Sequence, residues 1–336
     1  MFTTSEALEL VERAATAEGL FGPRTADPGK RREARRRYRA LASVLHPDVV
    51  GPGNTRAHAA SAVLTRLHHE WTHGATVEMR TRTGVYRIGE PFAVGSVANL
   101  YESDGPHVVK VVRNPGLNPL LHGEWQALRS LERFTDRHHW LRPYYPRLLD
   151  TSGEVAKGSR AFTVLDPLLD GFVTLADVRR AFPAGLDGRD YAWMHRRLLK
   201  ALAGAHQAGL VHGAVTAENV MVHPQQHGIV LAGWSFAVEP GQRLLATSRA
   251  ITYPPEVLAG EPVTAATDVH MAHTLMLDLL AHDEHRQIAF ARGCVQERPS
   301  RRPDTVDLLG EYDELLDDLY GARVFRPFVL PKTTGA

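Results

Sequence analysis

The stretch that most constrains this 336-residue chain runs from Leu198 to Ala237, LLKALAGAHQAGLVHGAVTAENVMVHPQQHGIVLAGWSFA. Met194, Leu198, Ala201, Leu202 and Ala205 recur at steps of three and four, the spacing of one apolar helix face, and Gly209 closes the pattern. Leu210 with Val211, Val220 to Val222, and Ile229 to Leu231 are short β-prone runs separated by turn residues. The polar loop from His212 to Asn219 is therefore expected between strands, its side chains held in place by a helix on one side and a sheet on the other.

That loop resembles the catalytic loop of protein kinases, H-R-D-L-x-x-x-N, which is followed by D-F-G. His212 takes the histidine position and Asn219, seven residues on, the asparagine position. Ala214 stands where the family carries its base, and Gly233 of Gly233-Trp234-Ser235 stands where it carries the aspartate that holds Mg²⁺. The resemblance therefore implies no catalytic residue and no metal site. Glu218, beside Asn219, is the alternative base or metal ligand, one residue out of register.

Upstream, Val85 to Ile88, Phe92 to Val97, Leu100 to Glu102 and Val108 to Val112 read as strands, with turns at Gly84, Gly89 and Ser103-Asp104-Gly105. They resemble a kinase N-lobe. Aligned on Tyr101, its glycine-rich loop keeps only Gly95, with Ala93 and Ala98 at the flanking positions. Lys110 matches the strand lysine that pairs with nucleotide phosphates, and Glu124 its helical partner. Alone, each reads as a surface residue. With Phe162 to Leu168 resembling the fifth strand and hinge, they read as an ion pair that binds nucleotide or braces the lobe. Gly95, Lys110, Glu124 and Asn219 are thus the candidate nucleotide-binding residues, with ATP as the candidate cofactor and no firm Mg²⁺ site. Further on, Tyr253-Pro254-Pro255-Glu256 resembles A-P-E, Asp268 opens a central helix that runs through Val269 to Leu280, and Arg302 matches the arginine that pairs with that glutamate. The acidic stretch from Gly310 to Tyr320 reads as a final helix. The resemblance covers about residues 77 to 320.

Before it, Lys30 to Arg39 holds seven basic residues against one acid, Glu33, while Ala34, Tyr38, Leu41 and Leu45 mark the opposite, apolar side of a helix. His46-Pro47-Asp48 follows, then the turn Gly51-Pro52-Gly53-Asn54, then a second amphipathic pattern through Ala60, Val63, Leu64, Leu67 and Trp71. Two helices joined through H-P-D resemble a J-domain over residues 5 to 73, with a first helix at Leu8, Val11 and Ala15 and a loose connection from Gly22 to Gly29. The resemblance implies a DnaK-type chaperone as partner, docked through Arg35, Arg36, Arg39, His46, Pro47 and Asp48. An arginine row steers toward an acidic surface. A nucleic-acid partner for the same face is the reading not preferred here, because H-P-D accompanies the arginines.

No apolar run reaches the length of about 18 residues that a membrane helix needs, and the single cysteine, Cys294, fits a reducing cytoplasm. The histidine pairs lack the acids and cysteines of a zinc site. The expected fold is α+β: a small all-α helical module over 1–74, a β-rich N-lobe over 75–165, an α-helical C-lobe over 166–325 and a tail over 326–336. The expected function is a J-domain cochaperone or adaptor with a catalytically impaired pseudokinase region, bringing the chaperone to a protein client. An atypical ATP-dependent protein or small-molecule kinase is the alternative.

Overall fold

In the computed structural model, which describes residues 2–25, 28–51, 53–74 and 76–331, the chain begins with a helix that its own sequence caps. For Pro28, Gly29, Arg31, Pro47, Asp48 and His73 the backbone alone is described. The Thr3 hydroxyl accepts from Glu6 N and the Glu6 carboxylate accepts from Thr3 N at 2.8 Å, a reciprocal box that starts α1 (Thr4–Arg13). A short helix, α2 (Ala17–Phe21), lies between α1 and the expected loose connection that begins at Gly22. Thr16 caps it, and Leu20 and Phe21 are buried, which fixes a segment that periodicity alone cannot detect in five residues.

The basic helix α3 (Pro28–Leu45) and α5 (Thr55–His73) follow the expected pattern. Ala34, Leu41 and Leu45 join Ala60, Leu64, Leu67 and Trp71 in one apolar core with Leu8 and Val11 of α1. Tyr38 stacks on His68 at 3.9 Å between ring centres, and the Trp71 indole donates to Gly22 O at 2.7 Å. Between these helices, Pro47 begins a single turn, α4 (Pro47–Val50), where proline is suited because the first helical N–H has no partner anyway. The carbonyl of His46 accepts from Val49 N and Val50 N, so the tripeptide is wound into a turn of helix.

Among the described residues, those from 2 to 94 and 100–109 form one compact unit, and 95–99 with 110–331 a second. The sequence pattern puts a boundary at Gly74, whereas packing groups the following hairpin, β1 (Val77–Arg80) with β2 (Val85–Ile88), with the helices. Arg24 bridges this junction within the first unit, reaching Glu90 at 2.8 Å. Strands β3 (Ala93–Val94), β4 (Ala98–Glu102), β5 (Val108–Val112), β6 (Leu148–Thr151) and β7 (Phe162–Leu165) hydrogen-bond in the order β3-β4-β5-β7-β6. β5 is thus an interior strand, and the expected strand from Phe92 to Val97 shrinks to two residues.

In the second unit, α6 (Asn118–Thr135) precedes β6. Then come β8 (Val173–Thr174), α7 (Leu175–Ala181), α8 (Gly188–Gln207), β9 (Val220–His223) and β10 (Gly228–Leu231). The chain continues through α9 (Pro255–Leu258), α10 (Ala265–Leu279), α11 (His285–Cys294) and α12 (Thr305–Tyr320). The apolar face read from sequence is the buried face of α8: Met194, Leu198, Ala201, Leu202 and Ala205 are all 1 % exposed or less. β8, β9 and β10 pair antiparallel in the order β10-β9-β8. Leu210-Val211 does not form a strand; Val211 makes only an isolated bridge to Val238. Arg302 lies bidentate on Glu256 at 2.6 and 2.9 Å, with Gln296 O, Ala266 O and Glu297 O taking further guanidinium bonds. A fully satisfied buried pair of this kind orients the segments it joins.

One feature of this core is titratable. His195 and His273, both fully buried, meet Nε2 to Nε2 at 3.2 Å. His273 Nδ1 must donate to Val269 O at 2.7 Å, so its Nε2 accepts the proton of His195 Nε2, and His195 Nδ1 faces the Tyr191 hydroxyl at 3.4 Å. That arrangement holds only for neutral rings. Burial accordingly pushes His195 well below the usual imidazole range and His273 down to about 4. Between pH 6.5 and 4 the unfolded chain binds protons that the folded one refuses, so stability is level above that window and falls with pH inside it. His273 alone accounts for a loss on the order of 3 kcal/mol at the acid end. Melting temperature measured against pH should show this slope in the wild type, and replacing both histidines by leucine should make it shallower.

Candidate functional site

The site is assembled in the second unit from one interior strand, one helix and two loops. β5 presents Lys110, and α6 turns Glu124 inward, where it is 2 % exposed. The neighbouring Trp125 fixes that face of α6 by donating to Thr163 Oγ1 at 2.6 Å. Lys110 Nζ pairs with Glu124 Oε2 and donates to Ser235 Oγ at 2.9 Å, while the Ser235 hydroxyl donates to the same Glu124 oxygen. The expected ion pair is therefore present, with only 13 % of the Lys110 side chain exposed. A buried ion pair offsets its desolvation only when further hydrogen bonds complete it, and Ser235 supplies them. Sequence reasoning singled out Gly233 in this segment and gave Ser235 no role. The signal available was a small hydroxyl two residues beyond the glycine.

The loop from His212 to Asn219 is held from beneath by one carboxylate. Asp268, fully buried at the start of α10, accepts from His212 N at 2.7 Å and Gly213 N at 2.8 Å, and His206 Nε2 donates to it at 2.9 Å. The His212 ring is fixed as well. Its Nε2 donates to Ala232 O at 2.8 Å and its Nδ1 accepts from Ala214 N at 3.2 Å, which defines a neutral tautomer. Burial keeps its pKa below the ordinary imidazole value, against the opposing pull of Asp268. Trp234 packs edge-on to the same ring at 4.6 Å and donates its indole N–H to Leu231 O.

Two positions where acids are absent are filled. Ala214 is fully buried in an apolar cluster with Val97, Ala98, Leu120 and Phe236. Gly233 has φ +82, and a Cβ there would lie 2.3 Å from Asn219 Cγ and Oδ1. Asn219 is thus turned into the space that a side chain at 233 would need, and its amide donates to Ala214 O at 2.9 Å. Gly95 also has a local reason to be glycine: its N–H donates to Ala98 O at 3.0 Å, and a Cβ would approach that oxygen to 2.8 Å. The turn itself uses it. Glu218 is exposed and stays outside the site.

Mg²⁺ requires near-octahedral oxygen ligands at about 2.0–2.1 Å. Here the one side-chain oxygen donor among the family metal positions is the Asn219 amide, already packed against Gly233. Among the described residues, no group of three or more histidines, cysteines or acids could hold a metal ion. The residues do not fit Mg²⁺.

No family model matches the chain, and no curated protein matches it. Among solved structures 1980 chains match, including the structure of vaccinia related kinase 3, which superposes with a TM-score of 0.58 at 18 % identity. The alignment covers 73 % of this chain and 91 % of that one. The fold is protein-kinase-like. Within this fold Lys110 pairs with Glu124, and the segments 212–219 and 233–235 carry Ala214, Asn219 and Gly233.

The expected chaperone-docking residues lie in the first unit. Arg35, Arg36 and Arg39 are exposed on α3, and His46 is exposed at its end. The side chains of Pro47 and Asp48 lie outside the described residues. No helix is long and apolar enough to cross a membrane among the described residues.

The packing at Gly233 can be tested directly. Gly233→Ala should destabilise the fold by about 2 kcal/mol or more, since it combines a left-handed backbone with overlap on Asn219. Gly233→Asp should do so without introducing Mg²⁺-dependent stabilisation, and adding Asn219→Gly to either should recover part of the loss. Thermal melts with and without Mg²⁺ read both outcomes.

Proposed function

We propose that the kinase-like region is a binding scaffold without phosphoryl transfer, and that residues 1–74 form a J-like arm recruiting a DnaK-type chaperone to a client bound by that scaffold. The observation that carries the first part is the side chain of Asn219 lying in the space beside Gly233. Phosphoryl transfer relies on positioning and on metal ions that neutralise developing charge. With Ala214 at the base position and the metal-ligand space taken by an amide, neither is available. Lys110, Glu124 and Ser235 then serve as an internal brace between β5, α6 and the 234–236 turn.

The J-like arm is supported by different features. An exposed row of arginines on α3 leads into His46, and the apolar sides of α1, α3 and α5 share one core. An arginine-rich surface ending at a wound, proline-started turn suits docking on an acidic partner surface. In this reading the kinase-like region supplies the client site.

The alternative, an atypical ATP-dependent kinase, is favoured by one observation: the Lys110–Glu124 pair is retained in an interior strand and a buried helix face. Thermal shift separates the two, because a ligand that binds only the folded state raises the melting temperature by mass action. ATP with Mg²⁺ or Mn²⁺ should leave the melting temperature unchanged. Metal-dependent stabilisation that disappears in Lys110→Ala would instead favour the kinase. For the arm, Asp48→Asn should abolish stimulation of a DnaK-type ATPase with the melt unchanged, and stimulation equal to wild type would sink the cochaperone role.

A further inference from the structure

Beyond α12, Gly321 turns the chain at φ +70 and residues 322–331 continue without helix or strand. Side chains attach this stretch to the second unit. Arg326 Nε reaches Asp190 Oδ1 at 2.8 Å, with Asp187 Oδ2 at 3.6 Å from the same guanidinium. Two residues later Phe328, 4 % exposed, stacks on Phe182 at 5.6 Å and meets Trp193 edge-on at 6.2 Å. Val324 and Val329, by contrast, are 85 % and 75 % exposed. Selected side chains of an extended segment enter pockets while their neighbours point to solvent, which is how linear peptides are recognised.

The groove is also incompletely satisfied by its occupant. Trp193 lies flat on His227 at 4.1 Å between ring centres, and Phe325 covers the other side of His227 at 4.5 Å. Trp193 Nε1 and His227 Nε2 are both buried without a hydrogen-bond partner. Buried polar atoms are ordinarily paired, and leaving them unpaired is costly. His227 moreover adopts φ +52, an uncommon left-handed conformation for a residue with a side chain. With residues 322–331 in place, both atoms stay unpaired.

We propose that the groove formed by Asp187, Asp190, Phe182, Trp193 and His227 docks an extended segment of a partner protein carrying arginine two residues before an aromatic residue. Residues 323–328 hold the groove in cis as a displaceable stand-in. Charge complementarity selects the arginine, and the aromatic cleft selects the ring. The proposal is independent of whether the kinase-like region binds nucleotide.

The test uses the full chain with Arg326→Ala and Phe328→Ala, which releases the stand-in, and a fluorescein-labelled peptide of residues 322–331. Fluorescence anisotropy should show the peptide binding this variant at least tenfold more tightly than wild type. Replacing the peptide's second arginine and second phenylalanine by alanine, or adding Asp190→Asn to the protein, should each weaken binding at least tenfold. Equal binding to wild type and to a variant shown by circular dichroism to be folded overturns the proposal. So does a concentration-dependent dimer that exchanges this segment between copies. Should the variant fail to fold, trypsin cleavage of wild type after Arg323 provides the second reading. Saturating peptide should speed that cleavage severalfold, and an unchanged rate overturns the proposal.

Discussion

The Asp268 carboxylate is the fixed point of the kinase-like region. It is fully buried at the first turn of α10, and a buried carboxylate is tolerated only where donors surround it. The donors are the backbone of His212 and Gly213 and the ring of His206, whose other nitrogen meets Thr305 Oγ1 at 2.7 Å. One side chain thereby ties α10, α8, the start of α12 and the 212–219 loop together. Removing it would strand two buried N–H groups and a ring nitrogen. The shape of the loop therefore rests on its bonds to Asp268.

Comparable bonding runs through the neighbouring positions. Glu256 with Arg302 forms a bidentate, fully bonded pair, and Lys110 with Glu124 is completed by Ser235. Beside them, Ala214 joins an apolar cluster and Gly233 makes room for Asn219. The positions are mutually adjusted: a small residue at 233 is what lets Asn219 bond Ala214 O. This is packing to native density, as protein interiors require.

Several elements were legible in the residues. The α8 stripe is buried as its spacing demands, and the α3 and α5 patterns locate the core faces of the N-terminal helices. Lys110 and Glu124 were named as a pair from their spacing within a family pattern, and they meet. Short and irregular pieces were not legible. α2 is five residues long, less than two helical turns, so no periodicity marks it. Leu210-Val211 is β-prone, yet its backbone has only Val238 opposite it and stays a bridge. Trp193 and His227 carried no sequence signal, because the residues they meet are distant along the chain.

The sequence alone determined which faces are apolar and where the arginines cluster, since these are properties of residue type and spacing. Tertiary structure decided which distant residues meet. That Asn219 occupies the space beside Gly233, that Ser235 completes the Lys110 pair, and that Phe328 enters an aromatic groove are each contacts across tens or hundreds of residues. Periodicity reports only neighbours one or two turns away. Contacts of that range are set by close packing, which admits one arrangement of side chains and leaves no trace of it in local pattern.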